Sequence, residues 1–74
     1  MPTYYGWPRS SPYAEDEYWS IEGGTVTFHD REGETESGYT SASGVCSQRD
    51  GHGKSPERIT RERVEEIRKG WGSR

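Results

Sequence analysis

The fold is decided by residues 17–40, which read EYWSIEGGTVTFHDREGETESGYT. Apolar and polar side chains alternate along much of this stretch, and that period-two pattern is typical of half-buried strands. Gly23-Gly24 is a tight-turn signal, and Gly33 supplies the conformational freedom for a second turn. In this pattern His29 faces solvent on the outer side of the sheet. The stretch therefore predicts a three-stranded antiparallel meander with strands at residues 17–22, 25–29 and 34–40.

A C-terminal helix is predicted over residues 56–69. Ser55 is a good N-cap and Pro56 is a favoured first helical residue. Basic residues suit the negative end of the helix dipole, and Gly70 is a stop signal. The apolar stripe that would pack on the sheet consists of Ile59, Val64, Ile67 and Trp71. Strands followed by one helix predict a small α+β domain.

Residues 1–14 are predicted to form an extended N-terminal arm that is rich in aromatic residues and proline. Each proline fixes φ and biases the residue before it away from helix. The remaining residues, 15–74, are predicted to form a single small α+β domain. Within that domain, residues 41–55 read as a flexible loop rich in serine and glycine.

The chain contains no leucine, so its core must rely on aromatic rings, and six of its nine aromatic residues precede Ser20. Domains of this size bury a modest core and commonly need a disulfide, a metal or a partner for stability. Cys46 is the only cysteine, so no internal disulfide can form. A protein partner or a homo-oligomer is therefore expected.

Several classes of protein are excluded by the sequence pattern. No apolar run reaches the roughly 20 residues of a membrane span, and no secretory signal is visible, so a cytoplasmic location is expected. His29, Cys46 and His52 lack the short ligand spacing of a zinc site. No set of acid, base and nucleophile stands out. We therefore expect no catalytic residue, no metal, no cofactor and no small-molecule substrate.

The arm supplies the predicted binding site. Tyrosine and tryptophan are enriched at interface hot spots, and prolines that hold a segment extended lower the ordering cost of binding. This composition predicts a non-enzymatic accessory module, such as an inhibitor, adaptor or assembly subunit, that contacts a partner protein or another copy. The predicted contact residues are Tyr4, Tyr5, Trp7, Arg9 and Tyr13. The alternative is that the arm packs on its own sheet.

Charge is divided unevenly along the chain. Residues 1–50 carry nine acidic and three basic residues, whereas residues 51–74 carry seven basic and four acidic ones. The basic excess favours nucleic-acid binding as an alternative function, with helix arginines on phosphates and arm aromatics stacked on bases. Those arginines are Arg58, Arg61, Arg63 and Arg68. Glutamates alternate with them, so a mixed, solvated helix face is the simpler interpretation.

Overall fold

A computed structural model describes residues 2–72 as one antiparallel sheet with two helices. The elements are β1 (Thr3–Gly6), β2 (Glu17–Glu22), β3 (Thr25–Asp30), β4 (Gly33–Glu36), α1 (Ala42–Cys46), β5 (Glu57–Ile59) and α2 (Arg61–Trp71). The strand order across the sheet is β4-β3-β2-β1-β5. The predicted α+β class, with an antiparallel sheet and a C-terminal helix, is confirmed. The predicted number of three strands is wrong, because the described residues form five.

The central hairpin follows the sequence pattern. Trp19 lies opposite Phe28, and Ile21 lies opposite Val26, so the apolar residues of β2 and β3 share one face. The turn between them is made by Gly23 and Gly24, whose φ angles of 61° and 82° favour glycine. β4 ends at residue 36, short of the predicted residue 40, and the amide of Ser37 then donates to the Val26 carbonyl.

β1 is formed by the segment that was predicted as a separate arm. It lies inside the sheet, where Tyr5 is opposite Trp19 of β2 on one side and Arg58 of β5 on the other. Pro2 and Pro8 flank the strand and do not interrupt it, so the missing amides fall outside the strand itself. Residues 3–6 therefore belong to the same sheet as the predicted domain.

The helix begins later than predicted. α2 starts at Arg61, with Thr60 as its N-cap, and the Thr60 side chain accepts a hydrogen bond from the Arg63 amide at 3.1 Å. The strand β5 occupies the segment that was predicted as the first helical turn. Pairing with β1 satisfies backbone groups of both strands, and this non-local gain outweighs the local capping signal at Ser55. The loop at residues 41–55 contains α1, whose Val45 is fully buried.

The sheet is covered on both faces. On one face, α2 packs Val64 and Ile67 against Tyr18, with Tyr4, Ile59 and Trp71 at the margin. On the other face, Val45 of α1 packs against Trp7, Trp19 and Val26, with Tyr5, Ile21 and Phe28 around them. Aromatic rings thus take the volume that leucine fills in most cores, and each large ring contributes about 1.5–3 kcal/mol when buried.

Arg63 joins α2 to the loop between β1 and β2. Its side chain is only 7% exposed, and its Nη2 lies 2.7 Å from Glu15 Oε1 and donates to the Ala14 carbonyl at 3.1 Å. Its Nη1 pairs with Glu66 on the same helix. Burial alone would lower the pKa of Arg63, but hydrogen bonds to Glu15 and Glu66 raise it above its ordinary value. The charge is therefore held by partners inside the protein.

Candidate functional site

The face of the sheet that carries α1 has an open groove, with a volume of about 290 Å³. We call it the aromatic groove. Its floor follows the register of three neighbouring strands, because Trp19, Phe28 and Thr35 lie opposite one another on β2, β3 and β4. The complete lining is Glu17, Trp19, Phe28, Thr35, Glu36, Ser37, Tyr39 and Gln48.

One wall of the aromatic groove is the ring of Tyr39, which is 37% exposed. The ring rests on Gly44 of α1, and a Cβ atom added at Gly44 would lie 2.7 Å from Tyr39 Cδ1. The absence of a side chain at Gly44 therefore allows Tyr39 to sit beside the groove. The signal in the sequence is a glycine within a short helix, and it can be interpreted only when the position of the tyrosine is known.

The charged residues that line the groove are acidic. Glu17 Oε1 accepts a hydrogen bond from Trp7 Nε1 at 2.8 Å, which fixes that carboxylate at the end of the floor. Glu36 also belongs to the lining, but its pairing with Thr27 places its side chain on the face of the sheet opposite Phe28 and Thr35. No lysine or arginine lines the groove among the described residues 2–72. An aromatic groove with the Glu17 carboxylate beside it is suited to a cation, since a ring face and a carboxylate both attract positive charge.

The five predicted arm residues do not share one surface. Trp7 is 5% exposed and packs on Trp19 with ring centroids 5.5 Å apart. Cross-strand pairing places Tyr4 on the α2 face and Tyr5 on the α1 face, and both are half-buried. Arg9 is exposed and pairs with Glu66 at 3.0 Å, and Tyr13 is 42% exposed beside Trp7. Of these side chains, Tyr13 offers the largest free aromatic surface.

The four arginines of the nucleic-acid alternative are also divided. Arg63 is buried in the contacts described above, and Arg68 Nη1 donates to the Tyr18 hydroxyl at 2.8 Å. Arg58 and Arg61 line a different cavity of about 500 Å³, where β1 begins and β5 ends. We call it the β1–β5 cavity. Two of the four arginines therefore have internal structural contacts, and the other two are exposed near the end of β5.

His29 is buried on the α2 face, so the prediction that it faces solvent is wrong. Its ring stacks on Tyr18 with centroids 4.5 Å apart, and its Nε2 lies 2.8 Å from Ser20 Oγ. The register that brings these residues together was not evident from sequence alternation, because polar residues on one face look like a solvated surface. The pKa of His29 is lowered, mainly because the ring is buried. The negative charge of Glu34 raises this pKa, and the positive charge of Arg68 lowers it.

The Ser20–His29 contact resembles the nucleophile and base of a catalytic triad, but no third residue orients the histidine ring. The Nδ1 atom of His29 is buried and has no hydrogen-bond partner among residues 2–72, so no third group orients the ring. Cys46 lies on α1, and His52 is exposed in the loop that Asp50 organises through its carboxylate. The described residues contain no cluster of three or more histidine, cysteine, aspartate or glutamate side chains that could hold a metal.

The lowered pKa of His29 predicts a pH-dependent stability. A neutral His29 is favoured in the folded state, so the unfolded chain binds the proton more readily. Stability is therefore complete above the ordinary histidine pKa of about 6.5 and falls as the pH drops below it. We expect urea unfolding to show this loss in the wild type and in His52→Gln, whereas His29→Phe should remove it. An equal slope in all three proteins between pH 7.5 and 5.5 would contradict the prediction.

No protein-family model matches the chain, no curated protein matches its sequence, and no solved structure matches its fold. Among residues 2–72, no helix has the length and apolar character needed to cross a membrane. A functional assignment therefore depends on the surfaces described above.

Proposed function

We propose that the chain is a small, non-enzymatic binding module and that its aromatic groove holds a basic side chain of a partner protein. The observation that carries this proposal is the combination of an aromatic groove with the Glu17 carboxylate and no basic residue in the described lining. A lysine or arginine inserted there would place its alkyl stem on the Phe28 and Tyr39 rings and its charge beside Glu17.

The expected energies are modest but sufficient for a specific contact. A cation over a ring face contributes about 0.5–2 kcal/mol, depending on how far it is desolvated. An exposed carboxylate contributes about 0.2–1 kcal/mol to an ion pair. Trp19 and Phe28 are already held in place by the packing between β2 and β3, with ring centroids 5.4 Å apart. Because the floor is already ordered, less entropy is lost on binding. More of these small contact energies is therefore retained in the free energy of binding.

The acidic character of the neighbouring strands supports the same type of partner. Glu34 and Glu36 are exposed on the edge strand β4, and Asp30 and Glu32 lie at the turn that precedes it. Arg31 is the basic residue in this region, and it pairs with Asp16 at 3.6 Å. Such a surface would accelerate encounter with a basic segment and would disfavour a nucleic-acid backbone on this side of the sheet.

The proposal is tested by selecting a random-peptide library displayed on phage against the wild-type protein. We expect the selected peptides to share a lysine or arginine, and their synthetic forms to bind about fivefold to tenfold more weakly to Glu17→Gln and to Tyr39→Ala. The matched controls are Glu32→Gln and Tyr13→Ala, which alter an acid and an exposed tyrosine outside the groove lining. Selection of acidic peptides, or loss of binding in Tyr13→Ala with Tyr39→Ala unaffected, would contradict the proposal.

Gly44→Ala provides a second test of the groove that does not remove any lining residue. The added Cβ would overlap the Tyr39 ring and must displace it. Alanine is a better helix former than glycine by about 0.8–1 kcal/mol, so α1 itself should tolerate the change. We expect weaker peptide binding, measured by calorimetry, while circular dichroism still shows the native helix content. Gly51→Ala, where the added Cβ meets no atom within 4 Å, is the control.

A further inference from the structure

We propose that the outer edge of β4 binds an extended basic segment of a partner protein, which adds to the sheet as a further strand. β4 is the last strand on its side of the sheet, in the order β4-β3-β2-β1-β5. All four of its residues are exposed. Unpaired backbone groups at such an edge are a template for another strand, and several peptide-binding domains hold their ligands in this way.

The backbone groups that face the open edge belong to the two glutamates of β4. The Ser37 amide donates to the Val26 carbonyl at 3.0 Å, so these two residues lie opposite each other at a hydrogen-bonded position. Hydrogen-bonded and non-hydrogen-bonded positions alternate along an antiparallel pair, so Thr35 also directs its backbone groups towards β3. The N–H and C=O groups of Glu34 and Glu36 therefore point away from β3, towards the edge.

The side chains of the same two glutamates lie on the α2 face of the sheet. Glu34 is opposite His29, which stacks on Tyr18, and Glu36 is opposite Thr27 on that face. An added antiparallel strand would exchange its hydrogen bonds with Glu34 and Glu36, and the residues directly opposite them would place their side chains on the α2 face as well. A lysine or arginine at each of these two positions would lie opposite a carboxylate.

The charge of this edge opposes pairing with a second copy. Two antiparallel β4 strands would have to pair through their outward-facing backbone groups, and glutamate carries those groups on both strands. Glutamate would therefore lie opposite glutamate, and like charges that are directly opposite are destabilising. Opposite charges in the same positions are stabilising, so the edge selects a basic segment.

Of the two glutamates, Glu36 has the less compensated charge. Arg68 donates to the Tyr18 hydroxyl at 2.8 Å, and its pKa is raised first by this hydrogen bond and to a smaller extent by the charge of Glu34. Glu36 forms no ion pair within residues 2–72. Glu36 is therefore the carboxylate whose removal tests the proposal most directly.

The opposite edge of the sheet is a poorer template for a basic segment. β5, which borders the β1–β5 cavity, has only three residues. Pro56 directly precedes it and has no amide to donate. β5 carries Glu57 and Arg58, so its charges favour neither sign. Selectivity for a basic segment is therefore expected at β4.

The experiment is a low-salt NMR titration of the full chain with a hexapeptide in which lysine and valine alternate. We expect this peptide to slow the exchange of the Glu34 and Glu36 amides with water. The exchange of the Thr35 amide should change little, because that amide already faces β3. The control peptide has the same composition, with the three lysines before the three valines, and should bind much more weakly.

Backbone methylation of the peptide separates strand pairing from charge attraction. The lysines that face the glutamates direct their amides at β4, so methylation of the lysine amides should weaken binding about tenfold. Methylation of the valine amides, which point away from β4, should weaken it less than twofold. Glu36→Gln should weaken binding about threefold, and Glu57→Gln, the same change at the opposite edge, should leave it unaltered.

Three results would overturn the proposal. The first is equal binding of the two peptides, or no slowing of exchange at Glu34 and Glu36. The second is an equal effect of methylation at lysine and at valine. The third is slower exchange at these amides when the protein alone is concentrated, which would assign the edge to a second copy. The readout lies in the backbone of β4, so it is independent of whether the aromatic groove holds a cation.

Discussion

A chain that lacks residues 1–12 is expected to be unfolded. The deletion removes β1, which pairs with β2 on one side and with β5 on the other, so both of these strands lose a partner. It also removes Trp7 from the core and Tyr4 and Tyr5 from the two faces of the sheet. Full burial of such a ring contributes about 1.5–3 kcal/mol, so Trp7 together with the half-buried Tyr4 and Tyr5 contributes about 3–6 kcal/mol. That is comparable with the whole stability of a typical domain, about 5–15 kcal/mol.

The loss would be measured by far-ultraviolet circular dichroism and by the dispersion of amide signals in a proton–nitrogen NMR spectrum. The control is a full-length chain with Pro12→Ala and Tyr13→Ala, since both residues are exposed and neither belongs to a strand. A truncated chain with native dispersion would contradict the prediction. It would also support the hypothesis that the N-terminal segment serves mainly to contact another chain.

Arg63→Met is expected to lower the free energy of unfolding by about 2–3 kcal/mol. Removing one partner of a fully buried ion pair costs about 3–5 kcal/mol, and the cost is reduced here because the carboxylate partners remain half-exposed. Methionine keeps much of the apolar stem, so the loss comes from the hydrogen bonds to Glu15 and Glu66 and from the unpaired Ala14 carbonyl. The loop between β1 and β2 would then be attached less firmly to α2.

Chemical denaturation at pH 7 measures this loss, and Arg61→Met is the matched control on the same helix. Arg61 is exposed and, among residues 2–72, its ion pair is with Glu65, so its replacement should change stability by less than about 0.5 kcal/mol. The pKa of Glu66 is lowered, first by its hydrogen bond to Arg63 and then by the charge of Arg9. That contribution is present at neutral pH and is lost as the pH falls through the folded pKa, so Arg63→Met should flatten the acid limb of the stability curve. Equal losses in the two variants would contradict the assigned role of Arg63.

The part of the fold that was predictable is the part held by local signals. β2 and β3 are adjacent in sequence, and their turn contains Gly23 and Gly24. Apolar and polar residues alternate in both strands, which predicts that their apolar residues lie on the same face of the sheet. β1 and β5 were missed because each depends on a partner distant in the chain. The pairing of Tyr5 with Arg58 connects two segments whose local signals indicate an arm and a helix, and no periodicity within either segment reports the other.

The sites were less predictable because they depend on burial and on contacts between side chains. Arg63 has the sequence context of its exposed neighbour Arg61, yet one is enclosed by Glu15 and Ala14 and the other is in solvent. The sequence pattern places Tyr39 in a strand. In the structure it lies beyond β4 and forms a wall of the aromatic groove, because Gly44 leaves room for its ring. The uneven distribution of charge along the sequence is also seen in the structure, since acidic residues lie on β4, Arg58 lies on β5 and Arg61 begins α2.

The position of β1 has a consequence for how the protein is made. Gly6 pairs with Glu57, which is 51 positions later in the chain, so β1 is synthesised well before the strand β5 that pairs with it. Until β5 emerges from the ribosome, one edge of β1 is open, and its aromatic side chains make it a template for pairing with other chains. Translation products that stop before Glu57 should therefore aggregate or be retained by chaperones. Emergence of β5 is the step that protects this edge of β1.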